Sequence, residues 1–381
     1  MSDDSKAAVP REHTEHEGAQ TGSPSGGDLG GSRGAGARLA GKLRAIQFQD
    51  WILLPLVVLL FIVGAVASPS FLTQSNIINN IFHNSAVLGV VVVAESLILI
   101  SGEFDLSVES TVALAPMLGV WMILPASAGG LGLGFSPYLA ILIMLVVGAV
   151  IGTINGFFVI KLRLNSFIVT FALLLLLRGI TLGITSGQSL SGLPKEIIYL
   201  GSATWLGLPV AVWVFVLLFI VADVFLKMHP KGRAIYALGG NPEAARATGI
   251  NVNRLGWSVY VVAGVLAAMG GLMLTGRIAS VTVDQGRNLI LSVLAVAVLG
   301  GVSLDGGRGR MLNVLVATIL LATITNLLQL LQMPAFWVDA TYGGIIVVTL
   351  ALQGAARARR QVVKVDYQRK CIARTGEAPP S

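Results

Sequence analysis

Charge is scarce in this chain. Asp, Glu, Lys and Arg together make up 12% of 381 residues, against about a quarter in an ordinary soluble domain. One large soluble core cannot account for that, because its surface must still be covered by polar groups. Cysteine is nearly missing. The lone Cys371 excludes an internal disulfide framework and any cysteine-based metal cluster, and nothing around it would activate a thiol. Four histidines are present. His13 and His16 lie three apart with no further ligand nearby, and His83 and His229 are isolated. No metal ligand and no catalytic residue is assigned, since no nucleophile–base pair can be argued. Large apolar residues are also rare before Arg44, where Gly, Ser and Ala alternate with acids such as Asp3, Glu12 and Glu17. A secretory signal needs an apolar run there. Residues 1–45 are instead expected to be a disordered tail, too poor in apolar surface to offset chain entropy.

What the chain does hold is apolar sequence in blocks. Residues 46–354 contain ten segments near the length that crosses a hydrocarbon layer, about 20 residues. They are Trp51–Ala67, Ala86–Ser101, Ser107–Ala126, Tyr138–Ile160, Ser166–Thr185, Leu206–Leu226, Trp257–Gly276, Leu289–Ser303, Leu312–Leu331 and Phe336–Leu352. The fold class expected is therefore an all-α polytopic membrane protein of about ten transmembrane helices, some broken or re-entrant.

Basic residues in short loops set the orientation. Arg33, Arg38, Lys42 and Arg44 crowd the first span. Lys161 and Arg163 follow the fourth, and Lys227, Lys231, Arg233, Arg246 and Arg254 follow the sixth. Arg308 and Arg310 follow the eighth, and Arg357, Arg359 and Arg360 the tenth, whereas residues 68–85 and 127–137 have no Lys or Arg. Lys195, Arg277 and Arg287 are exceptions. Both termini are expected in the cytoplasm, with residues 355–381 a second tail and 227–256 a cytoplasmic loop. The net charge of +7 thus reads as topology rather than as an affinity for nucleic acid.

Glu95 and Arg178 lie inside spans and must face protein or water. Gly148, Gly152 and Gly156 fall at four-residue steps on one face of the fourth span, where another helix can approach closely. The run from Gly36 to Lys42 imitates the start of a phosphate-binding loop. However, Leu43 stands where Ser or Thr should hold magnesium, and no strand precedes it.

The loop after the sixth span carries a short helix with explicit ends. Asn241 is a good N-cap and Pro242 suits the first helical position. Glu243 complements the helix dipole, Ala244 and Ala245 favour helix, and Gly249 can end it in a left-handed conformation.

Here the sequence resembles the permeases of binding-protein-dependent ABC importers. Glu243-Ala244-Ala245 with Gly249 is similar to their cytoplasmic "EAA" loop, and Gly232 to Leu238 to the "GRxIYAxGGN" lead-in of ribose/xylose-type permeases. The run Gly102 to Val108, with Asp105 and Ser107, resembles "GxxDLSVG". Ser166 to Thr170 with Arg178-Gly179 resembles "FIVTLGxxxxxRG", and Val298 to Gly307, with Gly300, Gly301, Gly306 and Gly307, resembles "VLGGxSLxGG". Two departures stand out. Glu109 replaces the glycine after "DLSV", and "GxGxELxAIAA" appears as Gly286 to Ala295 without its acid.

The resemblance implies a permease of the inner membrane carrying a monosaccharide or sugar-like solute. It implies a second permease copy, an extracytoplasmic solute-binding protein, and an ATPase subunit docked on Asn241, Pro242, Glu243, Ala244, Ala245 and Gly249. No cofactor is then needed in this chain, since ATP and magnesium belong to the partner ATPase. Asn155, Asn165, Thr170 and Gln188 are candidates for the solute pathway, with packing or loop roles open to them equally. The alternatives are a nucleoside or branched-chain amino acid permease of the same superfamily, and an ion-coupled transporter using Glu95 or Asp223.

Overall fold

A computed structural model of the protein describes residues 53–352 and 354–355. The N-terminal tail with its His13, His16 and Gly36–Lys42 run, and the basic C-terminal tail with Cys371, lie outside the described residues.

Each of the ten apolar segments is helical. Helix α1 (Leu53–Ala67) is followed by a π-helical stretch, Asn76–Phe82, that runs straight into α2 (His83–Ile100). Then come α3 (Val108–Ile123), α4 (Pro137–Gly156) with a π-helical extension over Phe157–Lys161, and α5 (Ser166–Thr185). A short strand β1 (Leu190–Ser191), helix α6 (Lys195–Ser202) and a two-strand hairpin, β2 (Thr204–Trp205) with β3 (Leu208–Pro209), lead to α7 (Val210–Met228). The loop helices α8 (Pro230–Gly240) and α9 (Pro242–Ala247) precede the long α10 (Val252–Ile278). Strand β4 (Ser280–Val281) pairs antiparallel with β1, and α11 (Leu289–Leu299), α12 (Met311–Leu330) and α13 (Ala335–Leu352) complete the bundle.

Among the described residues, seven helical runs are long and apolar enough to cross a membrane: Asn76–Ile100, Pro137–Lys161, α5, α7, α10, α12 and α13. The other apolar helices, α1, α3 and α11, are shorter, at 15, 16 and 11 residues. Helices satisfy their own backbone, as a segment in hydrocarbon must. The protein is therefore an all-α polytopic membrane protein.

Four boundaries differ from expectation by four residues or more. The sixth segment begins at Val210, not Leu206, and the seventh at Val252, not Trp257. The second segment begins at Asn76, not Ala86. Its polar face hid it from a hydropathy reading, yet those amides are internally paired: Asn76 and Asn326 of α12 exchange bonds of 2.9 and 2.8 Å, and Asn80 Nδ2 donates to Asn76 Oδ1 at 2.8 Å. The eighth ends at Leu299, not Ser303, because the chain turns at Gly300-Gly301. Helix α8 was not anticipated from sequence. Pro230 occupies its first turn, and His229 Nδ1 accepts from Lys231 N at 3.2 Å.

Helix α10 is the axis of the interior, packing on α2, α3, α4 and α6. The glycine face of α4 meets it as expected. A Cβ on Gly148 or Gly152 would collide with the backbone of Gly264 or Tyr260. Helix α5 is peripheral by contrast, exposing Phe167, Ile168, Phe171, Leu175 and Leu176.

Candidate functional site

The break between α2 and α3 is held by side chains from several helices. Asp105 is fully buried, and its Oδ1 accepts from Ser107 N at 2.9 Å and from Ser107 Oγ at 2.6 Å. This local turn competes with helix and lies directly before α3, which begins at Val108. Asn155 of α4 donates to Asp105 Oδ2 at 3.1 Å and to Ser107 Oγ at 2.7 Å, while Glu95 Oε1 accepts from Asp105 N at 3.5 Å. Tyr260 of α10 donates its hydroxyl to Phe104 O at 3.1 Å. Glu95 thus turns inward, as a charge within a span must.

Immediately before this turn, three distant segments meet on glycine. Gly307 N donates to Ile100 O at 2.8 Å. A Cβ on Gly306 would lie 2.6 Å from Gly239 O and 2.7 Å from Gly102 Cα, and one on Gly307 2.7 Å from Gly240 Cα. A Cβ on Gly239 would collide outright with Ile100 O. Backbone therefore touches backbone, an approach that only glycine allows. Gly300 lies against Val314 of α12, and Gly301 turns the chain at a φ of 80°.

This junction is also the root of the capped loop helix. Gly239 and Gly240 end α8, whose Tyr236 hydroxyl donates to Gly309 O at 2.8 Å. Asn241 then caps α9, its Oδ1 accepting from the backbone N–H of Glu243 and Ala244 at 3.0 Å each. Gly249, at a φ of 85°, closes the turn after α9, and Ala245 alone of this helix is buried. Pro242, Glu243, Ala244 and Arg246 are exposed. A cavity of about 570 Å³ opens beside them, walled by Glu103, Arg163, Gly240, Pro242, Arg246 and Asp305.

A second polar knot lies within the bundle. Arg178 Nη2 meets Glu109 Oε1 at 3.0 Å, and Arg178 Nη1 donates to the carbonyls of Val283 and Gln285 at 3.1 and 3.2 Å. Gln285 Nε2 is held by Val112 O, Gly271 O and Thr275 Oγ1 at 3.0 Å each. The loop after α10 therefore doubles back seven residues along that helix, about 10 Å, before α11 begins. Glu109 Oε2 accepts from Ile290 N at 3.3 Å. With Gly286 as the first glycine of "GxGxELxAIAA", position 290 is where that pattern carries its acid. The two departures from the pattern meet in space.

Of the residues singled out from sequence, Asp105, Ser107 and Asn155 come together, as do Gly306 and Gly307 with the lead-in to α9. Asn165 instead caps α5, accepting from Ile168 N at 3.1 Å. Thr170 is buried and bonds back to Ser166 O at 2.7 Å, and Gln188 sits in the loop after α5. The partner of Arg178 was not visible in the sequence, although an unexpected Glu109 in the first turn of α3 was the available clue.

A bundle of long apolar helices with broken interior segments, and a capped helix on one side, defines a polytopic permease rather than a receptor with a lone anchor. The family described as branched-chain amino acid transport system / permease component matches residues 77–350, and the chain belongs to it. It is a multi-pass inner-membrane permease of the ABC importer type. The ribose import permease protein RbsC of Bacillus subtilis is 36% identical over 296 residues, covering 77% of this chain and 89% of that protein. RbsC of Escherichia coli K12 is 34% identical over 298 residues, covering 77% and 90%. The L-arabinose ABC transporter permease protein AraH of Azospirillum brasilense is 28% identical over 331 residues, covering 87% and 95%. No solved structure matches the chain.

Proposed function

We propose that this permease carries a monosaccharide or a sugar-like solute through ten membrane crossings with both termini in the cytoplasm. It works as one of two permease copies. A separate ATPase, which holds the ATP and magnesium, docks on α9, and a solute-binding protein delivers from outside. The observation that carries this reading is the continuity between α9 and the α2–α3 break. Asn241 caps α9, Gly239 and Gly240 sit directly before it, and Gly239 is in backbone contact with Ile100 and Gly307. A displacement of α9 is therefore delivered to the turn at Asp105, where Glu95, Asn155 and Tyr260 converge. Sugar is favoured over amino acid because the relatives quoted above are pentose permeases by name. The ion-coupled alternative loses one of its two acids, since Asp223 is paired with Lys227 at 2.6 Å.

The test uses the complete importer in cells. Glu243→Arg and Gly249→Arg should each leave the protein inserted in the membrane. Both should cut uptake at least about tenfold and release the ATPase on purification. Wild-type uptake in both variants would overturn the coupling role of α9.

A further inference from the structure

A second cavity lies at the opposite end of the α11–α12 pair from the α9 side. It measures about 400 Å³, and its wall includes Asn288, Ser292, Thr325, Gln329, Asp339 and Tyr342. Helix α12 runs from Met311, next to the loop of the glycine junction, to Leu330, about 30 Å by helical rise. Helix α11, with 11 residues, is about 16 Å long. It crosses only about half of the ~30 Å hydrocarbon layer. Its first turn, held by Glu109 and preceded by the doubled-back loop, therefore falls short of the full depth that α12 covers. Interrupted helices are where transporters place solute.

The chemistry of the wall narrows the ligand. Its one cation is already answered, since Arg287 bonds Asp284 at 3.4 Å, and the Asp339 carboxylate accepts from Asn288 Nδ2 at 3.3 Å. The Thr325 and Tyr342 hydroxyls share a bond of 3.0 Å. An anion would meet no unpaired cation here and would face the Asp339 carboxylate. A neutral molecule rich in hydroxyls would find amide, carboxylate and phenol groups that between them donate and accept. Seven polar side chains, Arg287 among them, line this one hollow, and four of them are open to solvent. The volume also suits a small solute with several waters.

We propose that this cavity is the solute-receiving site on the extracytoplasmic side. It binds a neutral polyhydroxylated molecule, and the segment that departs from the family pattern, through Asn288 and Ser292, sets which one. The proposal rests on the sugar-permease reading above and adds the place of selection within the membrane.

The complete importer is assayed in cells with a panel of pentoses and hexoses, and the two best-transported sugars are taken forward. Asn288→Leu and Gln329→Leu should each change the ratio of the two kcat/KM values at least tenfold. A merely structural role would lower both alike. Gln329→Cys in a Cys371→Ser background provides a second arm that does not depend on tolerance of leucine. It should react with an impermeant maleimide added outside, and the transported sugar should slow that reaction severalfold. An unchanged ratio together with absent or sugar-insensitive labelling overturns the cavity as the site while leaving the permease reading intact. No uptake of any sugar by the wild-type importer overturns the sugar reading, and this ligand with it.

Discussion

The molecule is fastened in two places by opposite means. Beneath α9, three segments more than 60 residues apart in sequence are joined by glycine on glycine, with Gly102, Gly239, Gly306 and Gly307 bringing main chains into direct contact. Deeper in the bundle, the loop before α11 is anchored by long side chains, Arg178, Glu109 and Gln285, which reach across to carbonyls and amides. The first joint depends on close main-chain contact and on the backbone hydrogen bond from Gly307 N to Ile100 O. The second depends on charge balance, and its worth lies in every member being satisfied. If α9 receives force and the far end holds solute, as proposed, the two joints suit their ends: close backbone contact where force enters, and specific side chains nearer the solute.

Breaking the side-chain anchor should have the largest effect on stability. Arg178→Met leaves Glu109 buried without its cation and should cost about 3–5 kcal/mol, read as a large drop in melting temperature in lipid nanodiscs. Adding Glu109→Leu to it should recover much of that loss, and a double variant as unstable as the single one would show that the pair itself is not the anchor. The glycine joint should respond to a far smaller chemical change. Gly239→Ala adds one methyl group against Ile100 O and Gly307 N and should cost about 1–3 kcal/mol. It should also lower uptake out of proportion to the amount of protein in the membrane. Uptake per inserted molecule equal to wild type would mean that the joint does not transmit. The smallest effect is expected from moving the acid. Glu109→Gly with Ile290→Glu returns both positions to the family pattern and keeps one carboxylate beside Arg178. This double variant should retain uptake within about threefold, roughly 0.65 kcal/mol, while each single variant falls well below it. A double variant as poor as the singles would separate the anchor from position 290.

Sequence made the local features legible and the long-range ones not. Asn241, Pro242 and Gly249 placed both ends of α9, because capping is a matter of neighbouring residues. Hydropathy found every apolar helix, and the glycines at 148 and 152 announced their close approach to α10. The start of the second helical run at Asn76 was hidden, since its amides are satisfied by Asn326, 250 residues away. Arg178 and Glu95 could be placed facing inward, but not paired: Arg178 meets Glu109 from 69 residues away, and Glu95 meets Asp105 N across the break after α2. Their partners are set by how the helices cross, which no local pattern records. Three of the family-like elements could be listed in order along the chain, yet their meeting at Ile100, Gly239 and Gly307 is a property of the fold alone.

The glycine joint has one more consequence. Side chains have torsions that can take up a displacement, turning a push into a change of rotamer. Glycines have none. In the proposed coupling, a shift at α9 meets main chain directly at Ile100 and the end of α2, so only backbone torsions stand between them to take it up. The fidelity of the stroke would then rest on how tightly Gly102, Gly239, Gly306 and Gly307 hold one another's main chains.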